Sequence, residues 1–461
     1  MESVTWWGVA VCLVYLALVQ GLCAVMYAVA ARENRLRARE DRLEDFLTLR
    51  TSPFTIPVSV VAPAFNEESG VVPTVRSLLA QNYPEFEVIV VSDGSTDGTI
   101  ARLIEAFDLE LTGSFYRRVV PSSDVRALYR SRTDERLTVV DMEHGGKAWA
   151  LNCGLNLARY RYVCTVDGDT VYHADALLRG MRLPVHDPAT VVGVTSRIEV
   201  SARPEQAAAG RARGDRSMLV VYQLFDYLRS FMGTRLGWSR GNYMLCSAGA
   251  FAIWRRDVAL ELGGFSKDFT CEDIEFTFRV HEHFRARGLP YRIHAMPDAV
   301  AFTEGPETIR GLVAQRARWQ RVIMETVWHY RHMLCNPRYG SVGWLGMPYY
   351  VLGEVLAPAM QLLAVLLVPI AVAAGTLDVA DFLRLLGVIA LANGAFTAAV
   401  LFFQRRNMRP IPGRQLPYLL LLAPLDLILY RPIIAWAQCK GMIGFFRGQR
   451  DWDKGVRNLR Q

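Results

Sequence analysis

The sequence predicts an α/β catalytic domain, built on a mostly parallel sheet, with membrane-spanning helices on either side of it. Short β-branched segments alternate with helical segments between residues 55 and 310, which is the pattern of a parallel sheet covered by helices. Long apolar stretches lie near both ends of the chain. Polar motifs follow the predicted strands, and open α/β sheets bind ligands at the carboxyl ends of their strands.

The composition of the 461 residues fits such a mixture. Hydrophobic residues make up 51% and charged residues 21%, which argues against disorder, collagen-like repeats and small disulfide scaffolds. The 8 cysteines show no CxxC spacing, so no zinc site or disulfide framework is expected, and the soluble part is predicted to be reduced and cytosolic.

The first 31 residues are predicted to form a membrane anchor. The stretch from Trp6 to Ala31 carries no charged side chain, and roughly 26 helical residues are enough to cross about 30 Å of hydrocarbon. A basic run follows at 32–39. By the positive-inside bias, the N-terminus faces out, and residues 32–54 form a basic cytoplasmic linker.

The soluble elements can be predicted in chain order from apolar runs and turn signals. We expect strands at 56–62, 87–91, 137–141 and 162–166, and helices at 67–82, 99–107, 146–159 and from Asp273 to Arg285. Helices at 311–340 are expected to lie at the membrane interface.

Residues 341–446 contain about three hydrophobic segments, at 341–376, 382–403 and 415–446, and the tail 447–461 is basic. Three crossings would place this tail outside, whereas the positive-inside bias places it inside and needs an even number. A break near Pro358 is one way to resolve the conflict. Glu354, Asp426 and Arg431 are costly in lipid, so they face a protein interior or polar path, or else lie near the membrane surface.

Two polar motifs follow the first two predicted strands, at residues 63–67 and 91–98. Asn66 and Glu67 in the first are placed to contact a ligand, although both are also common helix caps. Asp93 in the second can accept hydrogen bonds from a base or a ribose hydroxyl, although Asp-Gly also occurs in ordinary turns.

Two further motifs are typical of diphosphate and metal binding. Residues 145–147 place two glycines and Lys147 at a predicted helix N-terminus, which favours an anionic diphosphate; the alternative is an exposed lysine. Asp167 and Asp169 follow a buried strand with i, i+2 spacing and point the same way. They are suited to hold a divalent cation that also takes diphosphate oxygens, which explains them better than a turn does.

The last two motifs lie on predicted helices. Asp273 begins a helix, where it is either a cap or a general base. Gln315, Arg318 and Trp319 share one helix face, suited to a diphosphate and a sugar ring or to the membrane interface. His281 and His283 do not share a face and are interpreted as surface or structural residues, not metal ligands.

The order of these motifs resembles the membrane-integrated family 2 glycosyltransferases, namely the poly-β-1,6-N-acetylglucosamine, chitin, hyaluronan and cellulose synthases. The resemblance covers about residues 55–335 and implies a GT-A fold, here at 55–310, with a nucleotide-diphosphate sugar donor. The tail at 447–454 resembles that of the poly-N-acetylglucosamine-type synthases. Cys271 stands where many members have threonine, and its position is not expected to carry chemistry.

The resemblance also implies roles for single residues. It makes Asp273 the catalytic base and predicts a divalent cation, Mg²⁺ or Mn²⁺, as cofactor. The donor-binding residues it implies are Ala64, Asn66, Glu67, Asp93, Lys147 and Asp167, with Asp167 and Asp169 at the metal. Those it implies at the acceptor and diphosphate are Glu272, Gln315, Arg318 and Trp319.

Taken together, the residues and the resemblance predict an inverting transferase in the plasma membrane, with several spans and a cytoplasmic catalytic domain. Its expected donor is a UDP-sugar, with UDP-N-acetylglucosamine favoured, and its expected product is a β-linked polysaccharide that it also translocates. The alternative is a transferase that adds one sugar to a lipid acceptor. A transporter with a nucleotide-binding regulatory domain fits less well, because it does not explain the carboxylates at strand ends.

Contacts with membrane lipids are expected, and a small membrane or export partner is compatible with the sequence. The net charge of +7 does not indicate nucleic acid, because the basic runs at 32–39, 404–409 and 447–460 lie at membrane edges, where they act as topology signals.

Overall fold

The computed structural model describes residues 2–113, 116–201, 204, 206, 217–404, 411 and 413–449. Most of the basic run at 404–409, and of the tail from 447 onward, lies outside the described residues. The chain divides into two compact units. The sheet unit comprises Leu36–Arg213 and Met244–Glu304, and the helical unit comprises Met1–Arg35, Gly214–Tyr243 and Gly305–Gln461.

One mixed sheet forms the centre of the sheet unit. Its strands run in the order β3-β4-β5-β2-β1-β6-β9-β8-β10-β7. The strands are β1 (Val58–Ala64), β2 (Phe86–Asp93), β3 (Leu109–Leu111), β4 (Val125–Ser131), β5 (Leu137–Met142), β6 (Tyr162–Val166), β7 (Val171–Tyr172), β8 (Val191–Val200), β9 (Phe251–Arg255) and β10 (Arg292–Thr303).

The four predicted strands form the parallel centre of this sheet. β1 pairs in parallel with β2 and β6, and β2 pairs in parallel with β5. Every residue of β1, β2 and β6 is buried, which is why these strands are continuous apolar runs rather than alternating ones. The predicted parallel arrangement is confirmed for this centre, whereas β4, β7 and β9 pair antiparallel with their neighbours.

The four helices predicted in the soluble segment are found with their ends shifted by up to four residues. The α-helices of the described residues include these four and others that the sequence did not predict. They are α1 (Glu2–Leu43), α2 (Phe46–Thr51), α3 (Val71–Leu79), α4 (Thr99–Phe107), α5 (Lys147–Leu157), α6 (Ala176–His186), α7 (Met218–Leu228), α8 (Leu236–Arg240), α9 (Arg256–Glu261), α10 (Glu272–Arg287), α11 (Ile309–His329), α12 (Met347–Tyr350), α13 (Ala357–Ala373), α14 (Val379–Gln404), α15 (Leu416–Leu422), α16 (Asp426–Leu429) and α17 (Arg431–Phe446).

The predicted linker at 32–54 is largely helical. Helix α1 continues without a break to Leu43, because the basic run is rich in Arg, Glu, Leu and Ala, which are strong helix formers. Arg37 of this run is buried. Its Nη1 lies 3.1 Å from Glu40 Oε2, and its Nη2 lies 3.3 Å from His294 Nδ1. Part of the basic run therefore packs inside the sheet unit, in addition to any role as a topology signal.

The two compact units do not coincide with the predicted boundaries of the catalytic domain at 55 and 310, which stay a prediction. Residues 36–54 belong to the sheet unit, whereas 214–243 belong to the helical unit. The reason is apolar packing: Tyr222, Phe225 and Met232 join Leu312 and Val400 in one buried cluster of the helical unit. An apolar helix inside the predicted catalytic segment thus contributes to a different core.

Three helices of the described chain are long and apolar enough to cross a membrane: Trp6–Leu43, Val342–Ala373 and Val379–Gln404. Leu416–Leu429 and Arg431–Phe446 form a pair bent by 45°, which would make a fourth span if counted as one. The predicted segments are thus found as helices. In the first C-terminal block, a π-helical turn at Val351–Val355 ends at Leu356, just before Pro358.

Candidate active site

The loops after β1 and β2 form one hydrogen-bonded surface. The Oδ1 atom of Asn66 accepts from the N–H of Thr96 at 2.8 Å, and the N–H of Glu67 donates to Thr99 Oγ1 at 2.9 Å. Helix α3 begins after Gly70 without a side-chain cap, so the cap interpretation of Asn66 and Glu67 is wrong. Both residues lie at the carboxyl edge of the sheet, where they are suited to contact a ligand.

Asp93, the last residue of β2, organises the next loop. Its carboxylate accepts from the N–H of Gly145 at 2.7 Å and from the N–H of Gly146 at 3.0 Å, and its Oδ2 lies 2.9 Å from His144 Nδ1. The side chain is only 4% exposed. Asp93 therefore holds the glycine loop before α5, and its predicted contact with a nucleoside stays a prediction.

The glycines of this loop are required by its geometry. Gly146 has a φ of 89°, which favours glycine, and a methyl group at Gly145 would lie 2.2 Å from Ser123 Oγ. The loop brings Lys147 to the first position of α5, so its cationic side chain adds to the positive end of the helix dipole.

Lys147 joins carboxylates from two separate elements. Its Nζ atom lies 2.8 Å from Asp167 Oδ1, at the end of β6, and 2.9 Å from Glu272 Oε1, at the start of α10. Its side chain is 27% exposed, whereas that of Glu272 is 5% exposed. The exposed-lysine alternative is therefore wrong, and Lys147 is a bound cation at the sheet edge.

Asp273 lies beside this lysine. Both recorded hydrogen bonds to its carboxylate, among the described residues, go to Oδ1: one from the N–H of Ile274 at 2.7 Å and one from Cys271 Sγ at 2.8 Å. A methyl group at Gly249 would lie 2.8 Å from Asp273 Oδ2 and 3.2 Å from Lys147 Nζ. Oδ2 and the ammonium therefore flank the same glycine, with Oδ2 placed to receive a proton.

Two contacts at this site were not anticipated from the sequence. Gly249 carries no motif signal, because its importance comes from what folds against it. Cys271 was expected to carry no chemistry, yet its thiol donates to the Asp273 carboxylate. The two-residue spacing of Cys271 and Asp273 around the start of α10 is the only signal that points to this contact.

Burial and charge shift several pKa values at the site. Burial raises the pKa of Glu272, although Lys147 opposes the shift. Burial lowers the pKa of Lys147, but the carboxylates of Asp167, Glu272 and Asp273 outweigh it, so the net pKa lies well above the usual value. Burial also raises the pKa of Cys271 well above that of a free thiol. Lys147 is therefore charged, and Cys271 is a thiol that donates, at neutral pH.

Asp167 and Asp169 fit a cation that arrives with its substrate. Their loop is fixed by Gly168, where a methyl group would lie 2.5 Å from the Pro63 carbonyl oxygen. No group of three or more His, Cys, Asp or Glu side chains suited to a metal occurs among the described residues. Two carboxylates completed by diphosphate oxygens and water are, however, a common Mg²⁺ arrangement.

The remaining predicted residues are placed as follows. Ala64 is the buried last residue of β1. Gln315, Arg318 and Trp319 lie on α11 in the helical unit. His281 is fully buried, with Nε2 2.8 Å from the Met244 carbonyl oxygen, and it is structural, as expected.

Replacing Gly249 with alanine is expected to lower turnover by roughly 10- to 100-fold, because small displacements of catalytic groups cost that much. The atoms that must move belong to flexible side chains, so the melting temperature should hardly change. Gly113→Ala is the matched control, because a methyl group there meets no atom within 4 Å. Equal turnover of the two variants would contradict the placement of Gly249.

Comparison with known protein families gives two matching family models. Residues 59–259 match the family model described as glycosyl transferase family 2, and residues 162–377 match that described as glycosyl transferase family group 2. Between them, the two models show that residues 59–377 are similar to family 2 glycosyltransferase domains.

Among its relatives are the poly-β-1,6-N-acetyl-D-glucosamine synthases. The chain is 27% identical over 263 residues to that of Staphylococcus aureus, a match that covers 57% of this chain and 53% of the relative. It is 26% identical over 276 residues to that of Staphylococcus epidermidis, covering 59% and 56%. The chain thus spans about half the length of the curated relatives it matches.

One solved structure supports the fold. A mannosyltransferase from Pyrobaculum calidifontis, in complex with GDP-mannose and Mn²⁺, superimposes with a TM-score of 0.54 at 19% identity, covering 94% of this chain and 99% of that one. The predicted GT-A fold is confirmed by this likeness.

Proposed function

We propose that this glycosyltransferase transfers N-acetylglucosamine from UDP-N-acetylglucosamine to a growing β-linked polysaccharide, with inversion at C1. The observation that carries the proposal is the position of Lys147 between Asp167 and Glu272, beside Asp273. The names of the relatives support the sugar and the polymeric product. The candidate spans support a membrane location. The plasma membrane as that location, a cytoplasmic catalytic domain and translocation of the product are further parts of the proposal.

The side chains divide the work between donor and acceptor. An ammonium group has three N–H donors, and the structure records two carboxylate partners for Lys147 among the described residues. The third N–H is therefore available to a diphosphate oxygen. Asn66, Glu67 and Asp93 are proposed to hold the nucleoside at the neighbouring strand ends.

Asp273 is proposed to act as the base. Its Oδ2 takes the proton of the acceptor hydroxyl, whose oxygen attacks C1 of the sugar from the face opposite the leaving diphosphate. The N–H of Ile274 and the thiol of Cys271 hold Oδ1 and so orient Oδ2. Gln315, Arg318 and Trp319 are proposed to contact the diphosphate and the acceptor sugar.

Asp167 and Asp169 are the residues proposed to hold Mg²⁺ or Mn²⁺. When bound, such an ion neutralises charge on a leaving diphosphate. The Mn²⁺ in the complex of the Pyrobaculum calidifontis enzyme supports a divalent cation as cofactor.

Purified protein is expected to release UDP from UDP-N-acetylglucosamine, faster than from UDP-glucose or UDP-glucuronate, when Mg²⁺ or Mn²⁺ is present. EDTA should abolish release, and added metal should restore it, since without the cation two carboxylates would face an anionic diphosphate. Chromatography of the labelled product should show oligosaccharides of many sugars.

Each part of the proposal has its own contrary result. No turnover with any UDP-sugar would overturn the donor, and full turnover in EDTA would overturn the cation. A lipid carrying a single sugar would overturn the polymeric product and favour transfer to a lipid acceptor.

A further inference from the structure

A cluster of charged side chains lies in the helical unit and contains none of the residues that were predicted to bind the donor. This aspartate–arginine cluster consists of Asp226, Arg229, Arg316, Asp426, Tyr430 and Arg431, contributed by the region of α7, by α11 and by the bent pair α16 and α17. Asp426 is fully buried, and the side chains of Arg229 and Arg316 are 10% and 12% exposed. Asp426 and Arg431, for which a protein interior was one of the predicted environments, are thus both bound to other side chains of the helical unit.

Asp226 is the centre of the cluster. Its Oδ1 accepts from Arg431 Nη2 at 2.8 Å and from Arg229 Nη2 at 3.1 Å. Its Oδ2 accepts from the Tyr430 hydroxyl at 3.0 Å and lies 3.4 Å from Arg316 Nη2. One carboxylate on α7 therefore fixes α11 and the start of α17.

Asp426 closes the cluster from the other side. Its Oδ2 accepts from Arg229 Nη1 at 2.8 Å and from Arg431 Nε at 3.0 Å. Two aspartates thus face three arginines. Such buried ion pairs contribute little net stability against apolar packing, but removing one member leaves an uncompensated buried charge. Their best-supported use is to fix one arrangement of the elements that carry them.

The element that this cluster fixes is α11, the motif helix, which carries the motif at 315–319. Arg316 lies within the motif at 315–319, and its guanidinium carbon is 4.4 Å from the centre of the Trp319 ring. A cation in this position orients an aromatic ring. The ring of Tyr227, the neighbour of Asp226, lies 6.2 Å from the same tryptophan.

Close backbone packing supports the same arrangement. A methyl group at Gly441 of α17 would lie 2.3 Å from the Ala317 carbonyl oxygen, so α17 packs directly on the middle of the motif. Helix α17 begins at Arg431, the residue bound by Asp226. The bent helix pair and the motif helix are therefore held together at both contacts.

We propose that Asp226, acting through Arg316, is a positioning residue that holds the Trp319 ring in the orientation needed to contact the acceptor sugar. This inference rests on the proposed function, in which Trp319 binds that sugar. It gives the bent pair α16–α17 a role in acceptor binding through the aspartate–arginine cluster.

A double-mutant cycle tests the inference. The full-length protein in detergent is compared as wild type, Asp226→Asn, Trp319→Phe and the double variant. The probe is a β-1,6-linked N-acetylglucosamine oligosaccharide, the repeat named in the relatives. Asp226→Asn should raise the KM for this acceptor roughly tenfold, within the range of coupled neighbours, and leave the KM for UDP-N-acetylglucosamine unchanged. In the double variant, Asp226→Asn should not raise the KM for the acceptor beyond that of Trp319→Phe alone.

Asp381→Asn is the matched control, because Asp381 pairs with Arg384 at 2.7 Å in the same unit but is 62% exposed. It should change neither KM. If Asp226→Asn does not fold, Tyr430→Phe replaces it in the cycle, since it removes only the hydroxyl between Arg316 and Asp226.

Effects that multiply independently in the cycle would overturn the positioning role while leaving the proposed function intact. A Trp319→Phe enzyme with an unchanged KM for the acceptor would overturn the role of Trp319 in the proposed function, and the inference with it.

Discussion

Replacing Asp273 with asparagine is expected to lower kcat for sugar transfer by roughly 10²- to 10⁴-fold, the usual contribution of a general base. At this position the substitution is expected to keep the hydrogen bonds of the side chain. Both recorded hydrogen bonds to the carboxylate go to Oδ1, and the carbonyl oxygen of asparagine can accept the same two. The amide nitrogen then replaces Oδ2, so that only the proton acceptor is lost.

The KM for the donor should stay within about threefold of the wild type, because loss of a group that acts only in the transition state lowers kcat and not donor binding. The rate of UDP release under saturating acceptor and donor is the measurement. Asp257→Asn is a control, since this carboxylate is 66% exposed in the same unit. A variant at Asp273 that keeps more than a tenth of the wild-type kcat would remove this residue from the role of base.

The sheet centre and the motif positions could be predicted from the sequence because both depend on local patterns. The runs at β1, β2 and β6 are β-branched and apolar because each strand is buried on both faces. Once these strands are parallel, Asn66, Asp93 and Asp167 must lie at one edge of the sheet. This reasoning needs only the alternation of strands and helices.

The partners of single side chains could not be predicted in this way. Lys147 and Glu272 are far apart in the chain, and their contact depends on where α10 begins relative to α5. Gly249 is important only because Asp273 and Lys147 lie against it. Residues 214–243 belong to the helical unit because of long-range apolar packing. The sequence pattern, which predicts one continuous catalytic domain, does not indicate this packing.

Replacing Lys147 with methionine is expected to lower kcat by roughly 10²- to 10³-fold, the cost of removing one preorganised charge from a developing anion. It should also destabilise the protein, because Glu272, with its side chain only 5% exposed, loses its cation. The kcat of Lys147→Arg should lie between those of the wild type and of Lys147→Met. A planar guanidinium keeps the charge but does not fit the compact position of an ammonium between two carboxylates.

A double variant separates catalysis from stability. Lys147→Met combined with Glu272→Gln removes the unpaired buried charge, and replacing both partners of such a pair is far less costly than removing one. The melting temperature should therefore return toward that of the wild type, whereas UDP release should stay low because the lysine ammonium no longer faces the diphosphate. Arg132→Gln is the control: it breaks an ion pair of 2.8 Å with Glu110, and both side chains are more than half exposed. It should change neither the melting temperature nor UDP release. Recovery of turnover together with stability would mean that Lys147 acts by holding the fold, and the ammonium would then have no part in the reaction.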